Sequence, residues 1–288
     1  MIKLTPPDYS IVTPLVSKVP FNTLFARVVI DNKVNGQIFV DDSLHPTVSL
    51  IVHKYGMALL CGNAENDSFN DELVRFLKNT PSVELPAKYM LTYPERWEHK
   101  LASILGTELL QANDKGNSKM LTRDTSTSFL QTERINYQFK PSSPLINIDI
   151  PAPFTLKKID SDIYEKIHEA QHSVVPEQFW NTAEDFLENG IGYALLYDNQ
   201  IVSTSFSSFI VDDKLELGVE TTETFRKKGY SIYAASALVS YCLTNRYEPV
   251  WACRRENVGS SRLAESLGFI QASYHPYYCM PSKIQNKN

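Results

Sequence analysis

Three short apolar segments follow one another closely in the second half of the 288-residue chain, and they restrict its fold more than any other feature. The segments begin at Gly192, Gln200 and Lys214, and Asp-Asn and Asp-Asp pairs separate them. Both pairs are typical of tight turns between paired strands. The sequence therefore predicts an antiparallel β meander between residues 192 and 220.

The elements predicted on either side of this meander give the second half a definite order, β-α-α-β-β-β-α-β-α-β. Apolar residues at helical spacing indicate a long helix after the meander, with one face formed by Ile232, Ala235, Leu238, Val239, Cys242 and Leu243. The other predicted elements are a strand at 155–160, helices at 161–172 and 176–187, a strand at 249–253, a helix at 257–268 and a strand from residue 269 onward.

Two proline-rich joints, at 141–144 and 151–153, predict a domain boundary near the middle of the chain, because proline disfavours helix at and before its own position. We therefore expect two domains, residues 1–144 and 145–288. The first is predicted to be a smaller α/β domain, with strands at 36–42, 47–54, 57–62 and 88–93 and helices at 69–79 and 95–105. Its element order could make it a degenerate copy of the second, and it could cover the acceptor site or mediate homodimer formation.

The composition excludes several classes of protein. The net charge of -5 argues against a general nucleic-acid binder, which normally carries a basic surplus. No apolar run approaches the ~18 residues that a membrane helix needs, and prolines interrupt the first twenty residues, which therefore lack a signal-peptide core. The four cysteines contain no C-x-x-C pair, so we expect reduced thiols and a cytoplasmic protein.

A basic turn, Arg226-Lys-Lys-Gly-Tyr-Ser231, joins the meander to the long helix. A helix N-terminus offers free N–H groups and the positive end of the helix dipole, which together favour a phosphate. Gly229 allows a ligand to approach the backbone because no Cβ stands in the way. Three cations at this end of a helix oppose the dipole unless an anion binds there, so the turn predicts a phosphate-bearing ligand. The alternative is a solvated basic helix start.

At this turn the sequence resembles the GNAT superfamily of N-acetyltransferases, whose R/Q-x-x-G-x-G/A turn holds the pyrophosphate of coenzyme A. The resemblance extends over residues 150 to 280, since Glu216-LGVETTETFRKKGYS, Pro249-VWAC and Asn257-VGSSRLAESLGF stand in the family's order and spacing. The sequence of these segments is most similar to the branch that includes zwittermicin-resistance-type acetyltransferases. Ser231 replaces the family's glycine or alanine, and serine is small enough for close packing against the pyrophosphate.

The resemblance implies an α+β fold in which a mixed, mostly antiparallel sheet is flanked by helices, and it implies acetyl-CoA as cosubstrate without a metal. The fourth strand of the fold splays from the fifth, and its backbone N–H groups bind the cofactor arm and polarise the thioester carbonyl. The residues implied in cofactor binding are Val219, Thr221, Arg226, Lys227, Lys228, Gly229, Tyr230, Ser231, Asn257 and Ser260. Asn257 is also a good helix N-cap by its chemistry alone.

Two glutamates are candidates for the base that deprotonates the acceptor amine. Glu216 and Glu220 lie on one side of a regular strand, where glutamate is disfavoured unless it lines a cavity. Glu220 is preferred because it adjoins the cofactor-binding segment, and the alternative for both is a solvent-facing sheet surface. The tyrosine that the family often uses as an acid is replaced by Ala264. Thiolate protonation then falls to water, Ser260 or one of the tyrosines Tyr274, Tyr277 and Tyr278.

A second motif, His168-Glu-Ala-Gln-His172, matches the H-E-x-x-H zinc pattern. A zinc hydrolase needs a third ligand, but the metzincin continuation fails at Val175 and Gln178. The core stripe of the predicted helix leaves both histidines on its flank. They are expected on a surface helix or on the wall of an acceptor pocket, and a zinc site through His168, Glu169 and His172 is the remote alternative.

Together these features predict an N-acetyltransferase that moves an acetyl group from acetyl-CoA to a primary amine of a small molecule or peptide. A non-catalytic module that binds coenzyme A is the first alternative. Trp251 and Cys253 alternate on the fifth strand and are expected to pack in the core. The acceptor depends on loops whose positions the sequence does not give.

Overall fold

A computed structural model describes residues 1–78, 86–112, 128–140 and 149–281, and the chain divides into two compact units. Unit 1 comprises Met1–Ile135, Arg254–Glu256 and Ser273–Asn288, and unit 2 comprises Asn136–Cys253 and Asn257–Ala272. The boundary predicted between residues 144 and 145 lies outside the described residues. Each unit is therefore assembled from segments that are separated in the sequence.

Unit 1 begins with short helices that the sequence does not reveal by periodicity. In one of them six of the seven residues are buried, so it has no polar face to mark the period. The elements are β1 (Ile2–Lys3), a 3-10 segment (Pro6–Val12), α1 (Thr13–Val16), α2 (Leu24–Ile30), β2 (Gly36–Val40), β3 (Val48–His53), β4 (Met57–Gly62), α3 (Asp67–Lys78), β5 (Tyr89–Tyr93), α4 (Arg96–Leu105), β6 (Leu109–Gln111) and β7 (Phe129–Phe139), which ends in unit 2.

The sheet of unit 1 combines both kinds of pairing. Strands β1 to β4 pair antiparallel in sequence order, whereas β4 and β5 are parallel and α3 connects them. Strand β6 pairs parallel with the start of β7, and the segment Tyr277–Cys279 pairs antiparallel with β5. The predicted domains, residues 1–144 and 145–288, would assign Tyr277–Cys279 to the second domain. Its pairing with β5 places this segment in unit 1.

Unit 2 has the predicted order β-α-α-β-β-β-α-β-α-β. Its elements are β8 (Thr155–Lys158), α5 (Ser161–Glu169), a 3-10 turn (Pro176–Gln178), α6 (Ala183–Asn189), β9 (Gly192–Tyr197), β10 (Gln200–Val211), β11 (Lys214–Thr221), a 3-10 turn (Glu223–Phe225), α7 (Ser231–Thr244), β12 (Glu248–Arg254), α8 (Val258–Ser266) and β13 (Phe269–Cys279), whose second half lies in unit 1.

The helices between β8 and β9 differ from the prediction. Helix α5 ends at Glu169, three residues before His172, and Gln171 adopts a left-handed conformation with φ of 52°. The segment predicted as one helix from Pro176 to Leu187 is interrupted. A new N-cap explains the restart of the helix, because Thr182 Oγ1 accepts a hydrogen bond of 3.1 Å from the backbone N–H of Asp185.

In the sheet of unit 2, the neighbouring strands β11 and β12 separate after their first residues. Strands β8 to β11 pair antiparallel in order. The parallel pairing of β11 with β12 covers only Lys214 to Glu216 against Glu248 to Val250, so the second half of β11 is unpaired on that side. Helix α7 packs against β9, β10 and β11 through buried apolar residues. In the described part of the chain, no helix has the length and apolar character needed to span a membrane.

Candidate active site

A cavity of about 850 Å³ lies where β11 and β12 diverge. It is bounded by the end of β11, by the turn and first residues of α7, by one side chain of β12 and by one face of α8. Its lining includes Val219, Glu220, Thr221, Arg226, Lys227, Gly229, Tyr230, Ser231, Trp251, Asn257 and Ser260. The structure thus brings together all the predicted site residues except Lys228 and Glu216.

The turn before α7 is shaped to receive a ligand. Lys227 and Gly229 have positive φ values of 63° and 79°. A Cβ on Gly229 would find no atom within 4 Å, so the space in front of this backbone is open. Within the described part of the chain no side chain caps α7, and its first turn holds no acidic residue. No carboxylate of that turn therefore offsets the positive end of the helix. Lys228 does not line the cavity, and its Nζ lies 5.4 Å from the centre of the Phe225 ring.

Glu220 is held by three donors at the edge of the cavity. Its Oε1 accepts hydrogen bonds from the Thr221 N–H at 2.9 Å and from Arg226 Nη2 at 3.2 Å, and its Oε2 accepts one from the Ser173 hydroxyl. Arg226 Nε also donates to the Thr221 carbonyl at 3.0 Å. Only 11% of the Glu220 side chain is exposed. The first residue of the basic turn therefore fixes the carboxylate of Glu220.

Glu216 occupies a different environment. It lies opposite Phe209 on β10 and Val250 on β12, is buried, and does not line the cavity. The strand is regular, so Glu216 and Glu220 share a face as expected, with the Phe206 ring against Gly218 between them. Of the two candidate bases, only Glu220 is within reach of a ligand in the cavity.

Helix α8 and β12 form the wall opposite the turn. The Asn257 side chain caps α8 by accepting a 3.1 Å hydrogen bond from the Ser260 N–H. The Trp251 indole donates to Ser260 Oγ at 3.1 Å, which orients this hydroxyl. Trp251 and Cys253 are buried as predicted, but Trp251 also faces the cavity. Ser260 is the one proposed proton donor to the thiolate that lines the cavity, because the candidate C-terminal tyrosines do not line it.

The two histidines of the H-E-x-x-H motif do not share a helix face. His168 is exposed, with Nδ1 3.7 Å from Glu177 Oε2, whereas His172 lies beyond the end of α5. His172 Nε2 is 2.9 Å from Thr222 Oγ1, and this hydroxyl donates to the Ile201 carbonyl. His172 Nε2 is therefore the donor, and partial burial lowers the pKa of the ring. No group of three metal-ligating side chains occurs within the described ranges, and the early helix end removes the geometric basis of the zinc alternative.

Two parts of this arrangement are not visible as motifs. Ser173, which donates to Glu220, lies 47 positions away from it in the sequence, and a contact across that separation arises only from packing. The cavity wall also includes Arg262, Leu263 and Ser266 of α8. Arg262 and Leu263 lie three and four positions after Gly259, which also lines the cavity, and Ser266 lies four and three positions after them. A helical projection from Gly259 could therefore have found them.

Comparison with known proteins agrees with this geometry. Residues 14–278 match the GNAT acetyltransferase family. An uncharacterized N-acetyltransferase, YdfB of Bacillus subtilis (strain 168), is 25% identical over 255 residues, which cover 88% of this chain and 89% of that protein. The fold is similar to that of a GCN5-related N-acetyltransferase-like protein from Streptococcus suis 89/1591, with a TM-score of 0.68, 21% identity and coverage of 95% and 98% of the two chains. A tandem GNAT protein from the clavulanic acid biosynthesis pathway also matches, with a TM-score of 0.59, 8% identity and coverage of 95% and 94%. Since the family match spans most of its length, the chain belongs to the GNAT acetyltransferase family and is an acyltransferase.

Proposed function

We propose that the protein transfers an acetyl group from acetyl-CoA to a primary amine of a small molecule or peptide. One observation carries this proposal: a single cavity combines an uncapped basic turn, an unpaired strand edge and a fixed carboxylate. Acetyl-CoA, when bound, supplies the acetyl group as a thioester. The residues of the chain bind this donor, orient the amine and move its proton.

The turn from Arg226 to Ser231 suits a pyrophosphate. The open space in front of Gly229 admits two phosphates close to the backbone, and the uncapped end of α7 favours their negative charge. Beyond the turn, the edge of β11 that β12 leaves unpaired offers the backbone near Val219, whereas the Thr221 N–H already donates to Glu220 Oε1. Asn257 and Ser260 close the opposite side of the cavity.

Glu220 is the proposed base. Its carboxylate lies at the cavity edge, where it can accept the proton of the ammonium group directly or through one water. The hydrogen bonds from Ser173 and Arg226 fix its position but occupy part of its accepting capacity. The amine must therefore approach the remaining lone pairs, and Ser260 on the opposite wall can supply a proton to the departing thiolate.

Unit 1 is proposed to be a degenerate copy of the same fold that has lost its cofactor site. Its β4 and β5 are parallel strands joined by α3, as β11 and β12 are joined by α7. At the equivalent turn, however, Lys100 pairs with Glu65 at 2.9 Å and with Asp67 at 3.7 Å. Carboxylates at a helix N-terminus repel a pyrophosphate, so we assign one donor site per chain.

We also propose that the protein is cytoplasmic. All four cysteines are free and buried, which suits the reducing cytoplasm. Homodimer formation stays a prediction, which light scattering can test by measuring the molar mass in solution.

Replacement of Glu220 tests the proposed chemistry. We expect Glu220→Gln to lower kcat by about 10²- to 10⁴-fold, the usual contribution of a positioned base, with the Kd for acetyl-CoA within about twofold of wild type. Thiol release from acetyl-CoA across a panel of primary amines gives kcat, and calorimetry gives Kd. The matched control is Glu223→Gln, which replaces an exposed glutamate three residues from Glu220 along the chain. Full kcat in Glu220→Gln would remove the assigned base, and a lack of thiol release with every amine would contradict the proposed reaction.

A further inference from the structure

His172, the second histidine of the H-E-x-x-H motif, has no role in the site described above. Helix α5 ends at Glu169, and Gln171 then turns the chain with a left-handed φ of 52°. His172 and Ser173 therefore lie outside the helix, and their position depends on contacts that side chains make. The His172 ring is half-buried against unit 2.

The two side chains that bind His172 flank Glu220 on the sheet. Thr204 of β10 lies directly opposite Glu220, so the two residues share a face of the sheet. Thr222 is two positions after Glu220, and the strand pairing extends to it because its N–H donates to the Val202 carbonyl at 3.0 Å. Thr204, Glu220 and Thr222 therefore project from one face.

Both nitrogens of the His172 ring are used. Nε2 is 2.9 Å from Thr222 Oγ1 and donates to it, because that hydroxyl donates in turn to the Ile201 carbonyl at 2.6 Å. Nδ1 then carries the lone pair of the ring and lies 3.5 Å from Thr204 Oγ1. Thr204 is completely buried, so its hydroxyl needs such a partner. The ring thus bridges the neighbours of Glu220.

Ser173, the next residue, acts on Glu220 itself. Its hydroxyl donates to Glu220 Oε2, and its carbonyl accepts a 3.0 Å hydrogen bond from the Gln178 amide. The other oxygen, Oε1, accepts from the Thr221 N–H and from Arg226. The terminal torsion of a glutamate is soft. A carboxylate held at one oxygen can therefore still rotate, whereas donors at both oxygens fix its plane.

We propose that His172 is a positioning residue for Glu220. By binding Thr222 and Thr204 it places Ser173, and the Ser173 hydroxyl fixes the plane of the carboxylate that receives the proton of the amine. This inference rests on the proposed function of Glu220 as the base. His172 does not line the cavity, so it acts through Ser173.

The kinetic test compares His172→Leu with His172→Gln. We expect His172→Leu, which loses both hydrogen bonds of the ring, to lower kcat by about tenfold, less than loss of the base itself. The Kd for acetyl-CoA should stay within about twofold of wild type. His172→Gln can place an amide N–H near the position of Nε2, so it should recover part of kcat. The control is His168→Leu, which replaces the exposed first histidine of the motif and should leave kcat unchanged.

A double-mutant cycle tests whether His172 acts through Ser173. Ser173→Ala alone should lower kcat by a factor similar to that of His172→Leu. In the Ser173→Ala background, His172→Leu should then change kcat by less than about twofold. A residue that only supports the fold would lower kcat by the same factor in both backgrounds, together with Tm.

Crystal structures give a measurement that needs no turnover. In wild type Ser173 Oγ should bind Glu220, and in His172→Leu the two side chains should be more than about 3.5 Å apart. If His172→Leu does not fold, His172→Asn, which removes only the bond to Thr222, takes its place, with a smaller loss of kcat expected.

Three results would each overturn the proposal. They are full kcat in His172→Leu, an equal effect of His172→Leu in both backgrounds of the cycle, and a Ser173–Glu220 contact that is absent from wild type or intact in His172→Leu. If wild type released no thiol with any amine, the proposed function would fail. The crystal structures would still decide whether His172 holds Ser173 against Glu220.

Discussion

Substitution of Gly229 can separate the strain of the basic turn from its role in binding. Gly229 has a φ of 79°, and its Cβ position has no neighbour within 4 Å. An alanine there meets no protein atom, so its effect on folding comes from the backbone alone, about 1–2 kcal/mol for a left-handed conformation. A glutamate adds to this a negative charge where the pyrophosphate is proposed to bind.

The cost of that charge can be calculated. Two unit charges about 6 Å apart at an effective dielectric constant of about 20 interact with about 3 kcal/mol. Gly229 is exposed, and screening by water and salt reduces the repulsion by about half or more. At most about 1.5 kcal/mol of repulsion then remains, so we expect Gly229→Glu to raise the Kd for acetyl-CoA by up to about tenfold. Gly229→Ala should have a smaller effect, because its methyl group enters the space of the ligand without a charge.

Isothermal titration calorimetry with acetyl-CoA measures both affinities, and thermal unfolding measures the strain. Gly106 provides the control, since it is also exposed, has a φ of 54° and has no atom within 4 Å of its Cβ position. Gly106→Ala should lower Tm without changing Kd. Wild-type affinity in a folded Gly229→Glu protein would refute the assignment of the turn to the pyrophosphate.

Three further predictions concern charge and protonation. Arg226→Gln removes the ion pair with Glu220 and the hydrogen bond to the Thr221 carbonyl, so kcat should fall more than tenfold. Arg226→Lys should recover part of the lost kcat. An equal kcat in wild type and both variants would exclude a positioning role for Arg226. Burial lowers the pKa of His53 to about 3 from its ordinary value of 6.5, so the unfolded state binds the proton first as pH falls. The contribution of His53 to the free energy of unfolding is then complete above pH 6.5 and declines by about 1.4 kcal/mol per pH unit below it. Urea unfolding at pH 5 and pH 7.5 should show this decline in wild type and a smaller one in His53→Asn. An equal decline in the two proteins would contradict the prediction. The double variant His168→Gln, His172→Gln should contain as much zinc as wild type by elemental analysis. If wild type contained one zinc per chain and the double variant contained none, the zinc-site alternative would be restored.

The parts of the fold that the sequence predicts depend on neighbouring residues. The meander of unit 2 follows from turn residues at Asp198-Asn199 and Asp212-Asp213, and all four of these positions stand at or beside the observed turns. The basic turn is also local, because six consecutive residues supply its charges, its open backbone and its helix start. Such features need no knowledge of the rest of the chain.

The features that the sequence does not predict depend on contacts between distant residues. The hydrogen bond from Ser173 to Glu220 requires the segment after α5 to pack against β11. The helical pattern around His172 continues past Glu169, where the chain instead takes up a left-handed residue and leaves the helix. The pairing of Tyr277 with Leu91 joins segments 186 positions apart, and no local pattern in either segment predicts the other.

That last pairing has a consequence for synthesis of the protein. The edge of β5 beside Leu91 emerges from the ribosome long before Tyr277–Cys279, the segment that pairs with it, because the two are 186 positions apart. Until then the nascent chain presents an unpaired strand edge, which can pair with other chains or recruit a chaperone. Unit 1 therefore completes this pairing only after β8 to β12 have been translated, although most of its residues precede those strands.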